Sequence, residues 1–397
     1  TINMQPSRRF QEIAESISYY AESLGMPILS PRLVINYRFG VTSIAVTSYA
    51  LFSFLWIFKK ADESWTECLK ATMMMGGMIS GGGEVLTLVL KHSEIVRLFD
   101  NTRQVFEEYQ ERAANYADAL NVGIDRVVYI SKWIRNGYVV SYILMTSIPL
   151  LCLAYDGSRV TILPYEIPGI SPDSNSGYIL INLIQLVSMI ISAIGFYVGD
   201  MLVTLVLTQI LTFADILVIK VSQLNKVLAL KAEARLTSLV GAPYANENDV
   251  EIHLIDTIKW HQLLTDYCKM VDDTYKLLIT CQVLASAFSM LTTFCVNLNA
   301  LDFIGVIYFL VSTYKMMLFC LVGTKIEYAY DEVYESICNI SWHELNGSQR
   351  KMFALMLKKA QSTEIMVMLG ILPLSVRTAL QASCFWLPLF VPHTHRV

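Results

Sequence analysis

Charge is scarce in this sequence. Asp, Glu, Lys and Arg make up 16% of its 397 residues, where soluble domains carry about a quarter. A water-soluble enzyme domain fits that composition poorly. The net charge of −4 leaves no basic excess for binding nucleic acid. Cysteine pairing patterns are missing too. The eight cysteines form no CxxC pair and no His/Cys spacing that suits zinc, so no metal site and no cofactor are expected. Most of them fall within apolar runs, where a thiol behaves as a small hydrophobe. A bridge among Cys68, Cys152 and Cys295, near one membrane face in the topology below, stays open. HExxH, GxSxG and paired acids are absent from the apolar runs, and the two halves show no repeat. A membrane enzyme or transporter therefore lacks support.

What is present is hydrophobic. Apolar residue types supply 54% of the chain, and they gather into runs close to the 20 residues that a spanning helix requires. Seven such runs are expected to cross a membrane: 39–58, 71–90, 136–155, 178–199, 277–301, 303–322 and 365–391. The fold class is an all-α, seven-span membrane protein. Orientation follows from the distribution of Lys and Arg. The segment 1–38 and the second, fourth and sixth connections carry 23 of these residues, against four in the first, third and fifth. The N-terminus is expected in the cytoplasm and the C-terminus outside, the reverse of a G-protein-coupled receptor. The Asp-Arg-Tyr and Asn-Pro-x-x-Tyr signatures of that class are also missing. Residues 1–38 hold no basic-then-apolar cleavable pattern. The sequons at Asn339 and Asn346 lie in the sixth connection, where this topology allows no glycan.

The polar connections are patterned as one-sided helices. Trp260, Leu263, Leu264, Tyr267, Met270, Val271 and Thr274 recur at helical spacing in the fourth. Ile95, Phe99, Phe106 and Tyr109 share a face in the second, and Phe353, Met356, Leu357 and Ala360 do so in the sixth. Their backs mix acids with bases, as at Glu107, Glu108 and Glu111 beside Arg103 and Arg112. Packing against one another below the membrane is preferred over lying flat on lipid. Asn346-Gly347 is expected to turn between the two helices of the sixth connection. The chain thus divides into an N-terminal segment (1–38), a six-span bundle (39–322) with long connections at 91–135 and 209–276, cytoplasmic anchor helices (323–362), and a last span with an outer tail (363–397).

Within the spans, "GGMISGGG" (76–83) lacks the Lys-Ser/Thr ending of a phosphate loop and reads as close helix approach. Lys70 and Glu84 are expected near span ends. Lys315 and Arg377 are expected deeper, where a charge is a functional suspect. Arg377 is expected to face a carboxylate of a neighbouring helix. A methionine stripe, Ala71, Met74, Met75 and Met78, stands at i, i+3, i+4 and i+7. Its bland reading is plain packing, its functional one an adaptable wall for small apolar ligands.

The segments "AYDEVYESICNISWHELNGSQRKMFALMLKKAQ" and "GILPLSVRTALQASCF", together with seven spans and large second and fourth connections, resemble the insect odorant receptor family. The ending departs from the family's Tyr-Ser-Tyr-Phe-like run, the nearest match being Ser383-Cys384-Phe385. The resemblance implies an odorant-specific subunit that forms a heterotetrameric cation channel with a shared co-receptor in sensory-neuron dendritic plasma membrane. A G-protein-coupled-type or gustatory-type chemoreceptor is the alternative. It implies a small volatile odorant as ligand, held in the outer half of the membrane. Besides the methionine stripe, the implied walls are Tyr142, Met145, Thr146 and Pro149 on the third span, and Ile184, Val187, Ser188 and Ile191 on the fourth. Tyr308, Phe309 and Ser312 on the sixth complete them. It also implies anchor packing between subunits, for which Tyr334 and Trp342 are candidates; a core role within one chain stays open for each. Last, it implies a pore lined by the final span, with Leu387 as the constricting ring, Val391 as a second layer and Gln381 as a polar lining below.

Overall fold

A computed structural model describes residues 5–30, 32–34, 36–155, 157–236, 247–299 and 303–361, with 367–368, 372–373 and 375–377 beyond them. Nine α-helices are found among these: α1 (Pro6–Ser23), α2 (Tyr37–Lys60), α3 (Trp65–Leu90), α4 (His92–Tyr109), α5 (Ala114–Tyr155), α6 (Asn175–Leu236), α7 (Glu247–Asn299), α8 (Phe303–Cys338) and α9 (Gly347–Gln361). Six of them, α2, α3 and α5 to α8, are long and apolar enough to cross a membrane. They contain the first six expected spans, the fifth of them as far as Asn299, where the described part of α7 ends. The seventh run behaves differently where it is described. Val367 pairs with Pro373 and Met368 with Leu372 in a short antiparallel ladder, so a continuous helix from Ile365 is not seen. Pro373 has no N–H to give a helix and disfavours helical backbone at Leu372. Gln381, Leu387 and Val391 lie outside the described residues.

Helix lengths carry the architecture. The 62 residues of α6 span about 93 Å at 1.5 Å per residue, roughly three times the apolar thickness of a bilayer. The 53 of α7 and 42 of α5 also overshoot it. Their extensions meet α1, α4 and α9 at one end of the bundle, called here the extended end. The opposite, loop end carries the connection from α5 to α6.

Each expected stripe is buried at the extended end. Ile95, Phe99, Phe106 and Tyr109 of α4 and Trp260, Leu264, Tyr267 and Val271 of α7 join one core. Helix α1 caps it through Phe10, whose ring stacks on Phe106 with centroids 5.0 Å apart. Trp260 is the centre. Its ring lies 4.4 Å from Tyr109 and 5.7 Å from Phe213, and its indole N–H donates to the Phe213 carbonyl at 2.8 Å. Lys220 reaches into the same aromatic group, paired with Asp256 and 5.5 Å from the Trp260 ring. Burial there pushes the Tyr109 phenol well above its ordinary range. Trp260→Ala should cost about 3–5 kcal/mol as a large cavity opens. Thermal unfolding of the purified full chain measures it, and Trp260→Phe should fall between the two because it removes mainly the hydrogen bond.

Asn346 does more than turn the chain. Its side chain accepts from the Gln349 N–H at 2.9 Å while Gln349 accepts from the Asn346 N–H at 3.1 Å. This reciprocal pair satisfies the free donors at the start of α9. The turn before it is tied to α6, with Arg235 2.8 Å from Glu344 and Asn225 accepting from the Ser341 N–H. Trp342 and Tyr334 are exposed, at 52% and 38%, which removes the single-chain core role for both. No disulfide joins any two of the seven described cysteines, so Cys68, Cys152 and Cys295 do not bridge one another.

Candidate functional site

Helices α3 and α7 come together along the glycine run. A Cβ on Gly76 would lie 1.9 Å from the Ser289 hydroxyl and 2.9 Å from the Ala285 carbonyl oxygen, so only glycine permits this approach. On the same helix the Gly77 N–H donates to the Tyr308 hydroxyl of α8 at 3.0 Å. The expectation of close packing holds.

Just beyond these contacts the bundle encloses a cavity of about 90 Å³ between α3, α5, α6, α7 and α8. Tyr142 and Met145 of α5, Ser286 and Ser289 of α7, and Tyr308 and Ser312 of α8 line it. The wall is mostly apolar with a few hydroxyls, the balance expected of a small-molecule pocket.

Its floor is charged. Lys315 of α8 extends its ammonium to within 2.9 Å of Glu84 on α3 and 3.3 Å of Asp200 on α6, and donates to Ser80 at 3.2 Å. Gln282 of α7 donates to Glu84 at 2.6 Å. Tyr138 of α5 donates to Asp200. Five helices thus meet at one buried ion cluster, and Lys315, Tyr138 and Ser80 also line the cavity. The ammonium stands 4.3 Å from the Phe196 ring centre. Glycine recurs here: a Cβ on Gly199 would strike the Glu84 carboxylate at 2.2 Å. Glu84 therefore does not sit near a span end in headgroup surroundings. It is 3% exposed, because the ammonium and amide leave it no need of water. Lys70 is partly exposed and pairs with Glu67 at 3.1 Å. Arg377 is exposed and, among the described residues, pairs with no carboxylate.

The loop end is plugged by the connection from α5. Gln185 of α6 accepts from the Leu163 N–H at 3.0 Å and donates to the Leu163 carbonyl at 3.1 Å, and Asn182 accepts from the Ile162 N–H at 3.2 Å. Ile162, Leu163, Tyr165 and Ile167 are held inward against Met74 and Met145 in a second core.

The expected wall residues divide. Tyr142, Met145, Tyr308 and Ser312 reach the cavity. Thr146 lines a neighbouring crevice between α5 and α6. Ala71, Met74 and Pro149 are buried but take no part in the cavity lining, and Met75 and Met78 are half-buried. On α6 the face is displaced: Ile184 and Val187 are exposed, with Ser188 and Ile191 half-buried, while Ile181, Gln185 and Met189 point inward. Phe309 is also exposed. Tyr138, Ser286, Ser289 and the 162–167 plug were not anticipated. An apolar stretch, "VTILPYEIPGI" (160–170), inside a connection is the signal that could have marked the plug.

The family model described as 7tm Odorant receptor matches residues 64–382. The chain belongs to the odorant receptor family. Putative odorant receptor 83c of Drosophila melanogaster is 44% identical to it over 376 residues, covering 95% of this chain and 94% of that one. The fold is also that of the insect olfactory receptor OR5 from Machilis hrabei, with a TM-score of 0.72 at 12% identity over 98% of this chain and 99% of that one. The same receptor in complex with eugenol gives a TM-score of 0.71 at 12% identity, over 96% and 98% of the two chains. This is a multi-pass membrane protein of a receptor family, not of an enzyme family.

Proposed function

We propose that this odorant receptor is the ligand-recognising subunit of an odorant-gated, non-selective cation channel, assembled with co-receptor subunits in the plasma membrane of sensory-neuron dendrites. The observation that carries the reading is the largely apolar cavity, with hydroxyls from three helices, built on the floor of an ion cluster in a chain of this family. The solved complex of the same fold with eugenol supports a small organic ligand. The basic imbalance between connections supports a cytoplasmic extended end and N-terminus. The exposed Trp342 and Tyr334 support subunit contact beneath the membrane. A ligand of about 10 heavy atoms gains at most ~15 kcal/mol. Part of that gain drives opening, so half-activation should fall in the micromolar range.

The decisive experiment applies a panel of volatiles to the chain co-expressed with a co-receptor and records current in purified membranes free of nucleotide and G protein. Ligand-evoked current supports the proposal; its absence with correctly delivered subunits overturns it. Leu387 is proposed as the hydrophobic gate of the last span. Leu387→Ser should raise odorant-independent current or alter ion selectivity, and a normally assembled channel with neither change removes Leu387 from that role.

A further inference from the structure

A second space lies on the outside of the bundle. The crevice between α5 and α6 has a volume of about 460 Å³, with Tyr20 of α1 at one end. Its lips, Val139, Ile143 and Ile190, are more than half exposed, so it faces whatever surrounds the spans. On α5 it runs from Arg135 to Thr146 and on α6 from Tyr197 to Leu186. The eleven residue-to-residue steps of helix measure about 16 Å. Half of a bilayer's apolar layer measures about 15 Å. The crevice has the length of one leaflet.

Its two ends are chemically unlike. The loop-ward part is largely apolar, with the Tyr142 and Thr146 hydroxyls as its polar groups. At the other end stand the Arg135 guanidinium and the phenols of Tyr20 and Tyr197, whose rings meet edge to face at 5.4 Å. No carboxylate lines the crevice, and among the described residues no acceptor is bonded to any of these three donors. Arg135 directly precedes the uncharged run 136–155, which sets it at the boundary of the apolar layer, where lipid phosphates lie. The exposed Tyr129 and Trp133 on the same helix suit that boundary.

We propose that the crevice is a site for an anionic phospholipid of the leaflet around the extended end, one acyl chain lying between α5 and α6 and the headgroup held by Arg135, Tyr20 and Tyr197. Charge selects the headgroup, and the apolar groove selects a chain over free phosphate. A bare surface would hold lipids without preference, because apolar side chains do not distinguish headgroups.

The test is native mass spectrometry of the purified full chain with phosphatidylserine or phosphatidylcholine of identical acyl chains. The wild type should retain one phosphatidylserine in preference, undisturbed by millimolar inorganic phosphate. Arg135→Gln should lower that retention about fivefold, the effect of one basic group near anionic lipid, and leave phosphatidylcholine unchanged. Ala193→Trp, which fills the groove, should lower retention of both lipids. Equal retention of the two lipids by the wild type overturns the proposal. So does phosphatidylserine retention that neither variant changes, or displacement of the lipid by a volatile that activates the receptor. Because lipid retention is read without current, failure of the channel reading leaves this result interpretable.

Discussion

Lys315→Met should leave little folded receptor at the cell surface. The substitution keeps length and apolar bulk but deletes the only cation, among the described residues, within hydrogen-bonding distance of Glu84 and Asp200. Two carboxylates at 3% and 1% exposure would then face each other without compensation. Removing one partner of a buried ion pair typically costs about 3–5 kcal/mol, a large share of the stability of most folded domains. Asp200→Asn should behave differently. One ammonium and one carboxylate remain, and the asparagine oxygen still accepts from Tyr138, so a loss of about 1 kcal/mol is expected. Fluorescence-detected size exclusion and melting of the full chain measure both variants. If Lys315→Met melted like the wild type and Asp200→Asn did not, the cluster would not be organised around its lysine.

That cluster marks the limit of what the sequence discloses. A lysine inside an apolar run is visible, and so is the functional suspicion it raises. Its partners are 231 and 115 positions away, and neither carboxylate announces the depth at which it sits. Glu84 lies six residues before the end of α3, which invites a headgroup placement; in fact α3 leads directly into α4 and the carboxylate is drawn inward by Lys315. The amphipathic helices were easier. Ile95, Phe99 and Phe106, or Trp260, Leu264 and Tyr267, alternate with charged residues, so period alone identifies the buried side. The membrane part of α6 has no such contrast. It is apolar on every side, and Ile184 and Val187 look as eligible as Ile181 and Met189. There the inward face is selected by Gln185, whose amide binds the backbone of a distant loop. The glycines of α3 were legible as close approach because a bare backbone has few other uses in a span, but not as the neighbours of Ser289 and Tyr308.

Tyr308→Ala should change which odorants the receptor prefers. The side chain occupies the junction of α3, α7 and α8 and forms part of the cavity wall. Its loss would extend the 90 Å³ space by most of an aromatic ring. Ligands that fill the parental cavity should weaken by roughly 10- to 100-fold, since each missing methylene of contact is worth about 1–3 kcal/mol. Longer homologues, excluded before, should gain. Tyr308→Phe separates shape from hydrogen bonding. It keeps the wall but withdraws the hydroxyl from the Gly77 N–H, a cost of about 1 kcal/mol for one hydrogen bond. Its ligand ranking should therefore follow the parent even if its melting temperature falls. The measurement is a dose–response series over straight-chain homologues of one functional class, normalised to surface protein. An unchanged ranking in Tyr308→Ala at normal surface level would mean that ligands are recognised elsewhere in the bundle. A shifted ranking in Tyr308→Phe as strong as in the alanine variant would mean that the hydroxyl, not the ring, meets the ligand.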